Sequence, residues 1–256
     1  MRARFRDQAS ALERDLELAE RVYRSLLPKR LTAVGIDVVT RTQPFNRIGG
    51  DYATVFPTPD GRVFVCVSDV TAHGTASALL VTRVNSFVRE CVPFANHPCE
   101  VVQELNSFLC DHFGGLGLSL SFFCGVVDLR HMEFSYAGCG HPAALHFKAS
   151  PRREWEPLKS QHTLLGMFSG LSLHCRVDKV PLNSGEKIFL YTDGLTEARD
   201  AEGNLLGVDG LAKVLTHCVC ENLEGELLAD RALEMVKGLQ GMHVRDDVLL
   251  MVISIQ

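Results

Sequence analysis

Leu12, Leu16, Ala19, Tyr23 and Leu26 recur at three- and four-residue steps between about residues 7 and 27, and Glu13, Arg14, Glu17, Glu20 and Arg21 fill the positions between. Apolar side chains at that period share one side of a helix, so the spacing predicts an amphipathic helix. Pro28 ends it, because proline has no N–H to donate and its ring disfavours helical backbone in the preceding residue. The pattern admits two uses. The helix covers its own domain, or it pairs with a second chain as a short coiled coil that transmits a signal.

Beyond Pro28 the pattern changes to period two and to short apolar runs bounded by turn residues. Strands are expected at Ile36–Arg41, Val63–Ser68, Leu118–Asp128, Met132–Ala137, Ala144–Phe147, Leu173–Val177, Lys187–Thr192 and Val248–Ile255. Helical periodicity returns near residues 74–91, 98–112, 208–219 and 224–239. Several strands follow one another from 118 to 177 without a helix between them. That order favours an antiparallel sandwich flanked by helices over a doubly wound parallel sheet. The polar stretch Lys148–Gln161, with Pro151 and Pro157, reads as a mobile insertion.

A chain of 256 residues can bury one large core and carry a short appendage. The expected organisation is a linker or dimerisation helix over residues 1–30 and one domain over 31–256. A formal charge of -5 without a local basic patch argues against a nucleic-acid partner. The apolar runs are too short to span a bilayer, and no apolar signal segment follows Arg2, Arg4 and Arg6, so a cytoplasmic protein is expected. The nine cysteines are odd in number and scattered through apolar runs, which predicts reduced, buried thiols. Cys218 and Cys220 form the only close pair in the sequence, and they lack the second pair or spaced histidine of a zinc motif.

The carboxylates change the picture. Asp69 ends the run Val63–Ser68, Asp193 ends Ile188–Thr192, and Asp246 and Asp247 stand immediately before Val248–Val252. Asp51 follows Gly49 and Gly50, where the absence of side chains allows close approach of the backbone. Each aspartate alone is explained by the turn at a strand end, and Asp193-Gly194 in particular reads first as a turn. Jointly they bracket strands that look central, and carboxylates crowded at one sheet edge repel unless cations neutralise them. An all-oxygen site suits Mg²⁺ or Mn²⁺, and two such ions sharing a water would present hydroxide to a phosphate ester.

The segments Ala19–Pro28 (AERVYRSLLP), Ile48–Tyr52 (IGGDY), Ser68–Leu80 (SDVTAHGTASALL), Leu105-Asn106, Ala137–Pro142 (AGCGHP), Leu165-Gly166, Tyr191–Ala198 (YTDGLTEA) and Arg245–Val248 (RDDV) follow in that order. Together they resemble the SpoIIE-type bacterial branch of the metal-dependent, protein phosphatase 2C-like serine/threonine phosphatases. The resemblance implies an α+β fold, an α-β-β-α sandwich of two mainly antiparallel sheets flanked by helices and preceded by an N-terminal amphipathic helix. It implies two Mn²⁺ or Mg²⁺ ions at one end of the sheets. By position, Asp69 would bridge both ions, Asp193 and Asp246 would complete one, the carbonyl of Val70 would serve the other, and Asp51 would bind directly or through water. Asp247 would be a neighbour. The implied substrate is a phosphoserine or phosphothreonine on a regulatory protein, an anti-sigma-factor antagonist in stress-response signalling, with an upstream sensor domain or partner in control.

Ala72-His73-Gly74 departs from the branch's usual triplet, and Ser121 replaces a usual threonine while keeping the hydroxyl. His73 reads either as a proton donor to the leaving oxygen or as a solvated loop residue. His141, between Gly140 and Pro142, reads as turn-fixing, and Arg47 as a phosphate-binding fork or a solvent-facing strand-end residue. Two other functions share the pattern: a catalytically weak phosphatase-fold module acting by partner docking, and a hydrolase of small phosphate or sulfate esters. Retention of Asp51, Asp69, Asp193 and Asp246 separates the enzyme from the docking module.

Overall fold

The computed structural model describes residues 2–28, 30–72, 74–150, 154–170, 175–200, 202–240 and 246–256, with side chains from Glu13 to Leu239 and from Asp246 onward. Helix α1 (Arg2–Leu26) leads into strands β1 (Arg30–Ala33), β2 (Ile36–Gln43), β3 (Tyr52–Pro57) and β4 (Val63–Val70). Helices α2 (Thr75–Cys91) and α3 (Pro98–Phe113) follow, then strands β5 (Leu120–Asp128), β6 (Glu133–Cys139), β7 (Ala144–Phe147), β8 (Trp155–Leu158), β9 (Asp178–Pro181) and β10 (Lys187–Tyr191). The short helix α4 (Asp193–Thr196), helices α5 (Gly207–Cys220) and α6 (Gly225–Gln240) and strand β11 (Val248–Ile255) complete the chain.

Among the described residues the strands make a six-stranded sheet in the order β1-β2-β11-β10-β7-β8 and a five-stranded sheet in the order β3-β4-β5-β6-β9. Their pairings are antiparallel. Between the sheets, Val63, Val65 and Val67 of β4 share a buried layer with Leu249, Met251 and Ile253 of β11. The alternate residues Phe64 and Cys66 pack outward with Val81, Val84, Leu105 and Leu109 of α2 and α3. On the far side, Leu250 and Val252 pack with Leu211, Leu215, Leu228 and Ala232 of α5 and α6. The layers therefore run helix, sheet, sheet, helix, as the strand order and the resemblance both led one to expect. Burial on both faces explains why β4 and β11 read as unbroken apolar runs rather than as alternation. Fully burying each such side chain is worth roughly 1.5–3 kcal/mol, so these two strands anchor the sandwich.

Several local expectations fail. The stretch Lys148–Gln161 contains β8, which extends the six-stranded sheet, with Trp155 stacked on Phe147 and Leu158 in the inter-sheet layer. Pro157 is tolerated there because β8 is an edge strand, where a missing N–H costs no ladder bond. Of the strand expected at Leu173–Val177, residues 173 and 174 lie outside the described residues and 175–177 are not strand; β9 begins at Asp178 instead. Only Val180 of β9 packs toward the inter-sheet layer, so its sequence carries little strand signal. The expectation of reduced thiols throughout is also corrected: Cys99 and Cys175, 76 residues apart, form a disulfide. Cys66, Cys124, Cys139 and Cys218 are free and buried.

Helix α1 lies against its own domain. Tyr23 and Leu27 are buried, and Leu16, Ala19 and Leu26 are partly buried, in the same layer as α2 and α3. The side chain of Leu12 is outside the described residues. Among the described side chains of α1, the large apolar ones left to solvent are Leu18 and Val22, 55% and 48% exposed. Among the described residues no helix is long and apolar enough to cross a membrane.

Candidate functional site

Asp69 is the penultimate residue of β4 and pairs in register with Ser121 of β5. The Ser121 hydroxyl oxygen accepts the Asp69 backbone N–H at 3.3 Å, which leaves the serine proton for Nδ1 of His141, 2.8 Å away. His141 is clamped through Ser160, whose Oγ accepts the His141 N–H at 3.1 Å and donates to the His141 carbonyl at 2.7 Å. Burial pulls the imidazole down to about 3, so it stays neutral and can accept the serine proton. His141 is thus a positioning residue one step behind Asp69, in keeping with its reading as turn-fixing.

Asp51 lies in the turn before β3 and is 3% exposed. Its Oδ2 accepts from the Thr192 hydroxyl at 2.8 Å, and the same Thr192 oxygen accepts the Leu249 N–H at 3.0 Å. The Tyr23 hydroxyl of α1 donates to the Asp51 carbonyl at 2.7 Å. Burial and the nearby aspartates push the Tyr23 phenol up, which keeps it a proton donor.

Asp247 spends both carboxylate oxygens on the loop ahead of β3: Oδ1 accepts the Phe45 N–H and Oδ2 the Gly50 N–H, each at 2.7 Å. A Cβ on Gly49 would stand 2.4 Å from Asp247 Oδ2, so glycine is what permits this clamp. Asp193 opens α4. A Cβ on Gly194 would lie 2.0 Å from the Asp247 carbonyl, so the Asp-Gly pair answers a close approach of two chain segments. Asp246 is exposed, and its Oδ1 accepts the Asp247 N–H at 2.8 Å.

The carboxylates feel one another. Asp69 is pushed up to about 7, first by burial and then by Asp193, Asp246 and Asp247. Asp51 is held well above the usual carboxylate range by burial and then by Asp69, against the opposing hydrogen bond from Thr192. Asp193 is raised by burial, then by Asp246 and Glu197. Asp51, Asp69, Asp193 and Asp246 therefore share one edge of the sandwich, and a cation there would relieve the repulsion. Among the described residues no three carboxylates bring oxygens within 4.8 Å of one another, a spacing wider than a single-ion cage.

The cradle itself can be located. A Cβ placed on Gly50 would stand 3.2 Å from both Asp69 Oδ1 and the Val70 carbonyl oxygen, so a methyl group would occupy the space that these two oxygens face. Carboxylate and carbonyl donors without sulfur or imidazole fit a hard divalent ion. Arg47 is turned elsewhere, paired with Glu13 of α1, and His73 lies outside the described residues. Tyr23 was expected only as an apolar helix position and Thr192 only as the last residue of a strand, neither as part of the site. Thr192 precedes Asp193 directly, but its partners Asp51 and Leu249 are far away in sequence.

The family model described as Stage II sporulation protein E (SpoIIE) matches residues 59–256. The chain belongs to the SpoIIE family. Among SpoIIE-like relatives it is 22% identical to the phosphoserine phosphatase RsbU of Bacillus subtilis over 243 residues, 94% of this chain and 70% of RsbU. It is also 22% identical to protein IcfG of Synechocystis over 237 residues, 82% of this chain but only 36% of IcfG. The SiaA-PP2C domain of Pseudomonas aeruginosa shares the fold with a TM-score of 0.80 at 20% identity, covering 97% of this chain and 99% of that one. RsbX, solved in complex with magnesium, gives a TM-score of 0.64 at 14% identity, covering 89% and 98%. The architecture of this SpoIIE-family chain is that of the PP2C phosphatases.

Proposed function

We propose that the chain is a metal-dependent protein serine/threonine phosphatase, with residues 31–256 as the phosphatase domain and 1–30 as a regulatory connector. The observation that carries this reading is the convergence of Asp51, Asp69, Asp193 and Asp246 on one sheet edge, where Asp69 Oδ1 and the Val70 carbonyl also face the space that a methyl on Gly50 would fill. Two Mn²⁺ or Mg²⁺ ions are the proposed occupants, and when bound they supply an acidified water and neutralise phosphate charge. Asp69 would be shared between them, Asp193 and Asp246 would serve one, and the Val70 carbonyl the other, with Asp51 at hand directly or through water.

The chain's own residues keep this donor set in place. Ser121 and His141 hold the Asp69 backbone, Thr192 orients the Asp51 carboxylate, and Asp247 and Tyr23 fix the loop that carries Asp51. Preorganisation of this kind matters because donors fixed in advance need no reorganisation during reaction. Asp246 is exposed, so the site opens to solvent on its side and admits a side chain carried on another protein.

The substrate proposed is a phosphorylated regulatory protein, an anti-sigma-factor antagonist. SpoIIE membership and the phosphoserine phosphatase name of RsbU support this. The chain spans little more than a third of IcfG, which supports control by a separate sensor domain or partner. A cytoplasmic location fits such a substrate. Of the described side chains, those open to a homodimer through α1 are Leu18 and Val22, because the Tyr23 face is covered.

Asp69→Asn and Asp246→Asn test the reading. Each is expected to abolish release of phosphate from a phosphoserine protein in Mn²⁺ while circular dichroism shows a native fold, and Asp69→Asn is expected to raise stability in chelator by relieving repulsion. Near-normal turnover by either variant would overturn the assignment.

A further inference from the structure

Away from the aspartates, Cys99 in the first turn of α3 meets Cys175 in the segment that leads into β9. Nε2 of His162 stands 3.6 Å from the Cys175 sulfur, and the sulfur and nitrogen atoms of all three residues lie within 4.8 Å of one another. Nε2 lies 3.2 Å from the Arg176 carbonyl oxygen and accepts the Arg176 backbone N–H at 3.0 Å; as that acceptor it is unprotonated, with the ring proton on Nδ1 and its lone pair held by the N–H. That is the tautomer a metal needs for ligation through Nε2. Both cysteines line a solvent-open cavity of about 700 Å³ that also includes Arg62, His97 and Lys179, which gives an entry path.

We propose that reduction of the Cys99–Cys175 disulfide converts this cluster into a site for a soft divalent metal of the zinc class, held by the two sulfurs and His162 Nε2, with water as fourth ligand. A dithiol reductant supplies two electrons and two protons and becomes a disulfide itself; the Cys99–Cys175 bond breaks and two thiols form. The metal then displaces both thiol protons to solvent as the sulfur–metal bonds form, and its lone-pair partner Nε2 exchanges the Arg176 N–H for the ion. With metal–sulfur bonds of about 2.3 Å, a tetrahedral ion holds its two sulfurs about 3.8 Å apart, within the span of the cluster. Two sulfurs and an imidazole select a softer ion than the all-oxygen edge does, so the two sites load independently.

The cluster has a structural consequence for the segment between β8 and β9. Asn106 of α3 already holds it, accepting the Gly166 N–H at 3.0 Å and donating to the Phe168 carbonyl at 2.8 Å. The disulfide and the metal-loaded form both tie the later part of that segment to α3 as well, and the reduced, metal-free form does not.

Cobalt titration of the full chain tests this, with the carboxylate edge kept filled by excess Mg²⁺ and all steps anaerobic. The reduced protein is expected to take up one equivalent of Co²⁺ with a thiolate-to-cobalt charge-transfer band, which Zn²⁺ then abolishes by displacement. The oxidised wild-type protein, identical in sequence, should show no band, and Cys99→Ser and Cys175→Ser should lose it. His162→Ala should bind more weakly and lose the tetrahedral ligand-field bands. Absence of a thiolate band in the reduced wild-type protein, or its persistence in both serine variants, would overturn the proposal. Neither outcome depends on phosphatase activity.

Discussion

His141 is the residue at which the site and the stability of the fold meet. Burial holds its imidazole at about 3, below the ordinary value of 6.5, so the unfolded chain binds this proton more readily than the folded one. Its contribution to stability is therefore fully present above about pH 6.5 and is lost as pH falls toward 3, at about 1.4 kcal/mol per pH unit within that window. The difference in urea-unfolding free energy between wild type and His141→Gln, both in chelator, should shrink at about that slope between pH 6 and pH 4. A difference that does not vary with pH would contradict a buried neutral imidazole. Gly194→Ala should displace α4, since its Cβ would stand 2.0 Å from the Asp247 carbonyl. A stability loss of about 1–3 kcal/mol in chemical denaturation, with a fall in turnover, is the expected outcome. The aspartates were legible at this scale because strand ends announce themselves in the sequence. The reason for Gly194 was not, because the atom that demands it belongs to a residue far along the chain.

At the scale of elements, α1 is the instructive case. Its apolar side was plain from the three- and four-residue spacing, but periodicity says only that a helix has such a side, not what covers it. The structure buries Tyr23 and Leu27 against the helices outside the five-stranded sheet, and the Tyr23 hydroxyl reaches the backbone of Asp51. Tyr23→Phe removes one neutral hydrogen bond and leaves that carbonyl unmatched, so a stability loss of about 1 kcal/mol is expected, with a higher Mn²⁺ requirement for activity. The paired change of Leu18 and Val22 to glutamate should leave stability and the Mn²⁺ requirement unchanged, because both side chains face solvent. Unfolding curves and manganese titrations on the two variants distinguish the faces, and sedimentation velocity reports whether Leu18 and Val22 support association. Strands β8 and β9 escaped the sequence reading for a related reason. Each lies at a sheet edge and buries few side chains, so the apolar signal that marked β4 and β11 is missing.

For the whole molecule, the two-sheet sandwich has a mechanical role: it brings the ends of β4, β10 and β11 to one edge and there gathers charges that repel. Strand order in the sequence revealed the sandwich, and the family motifs revealed the edge. The disulfide joining α3 to the segment before β9 was invisible, since cysteines 76 residues apart carry no spacing signal. Phosphate release from a phosphoserine-bearing regulatory protein tests most directly whether this edge is a two-ion phosphatase site. The full chain should hydrolyse the phosphoserine in Mn²⁺, stop in excess EDTA, and recover when Mn²⁺ is restored, while Asp193→Ala run in parallel stays inactive throughout. Undiminished turnover in EDTA, or turnover by Asp193→Ala close to that of the wild type, would contradict a two-ion site.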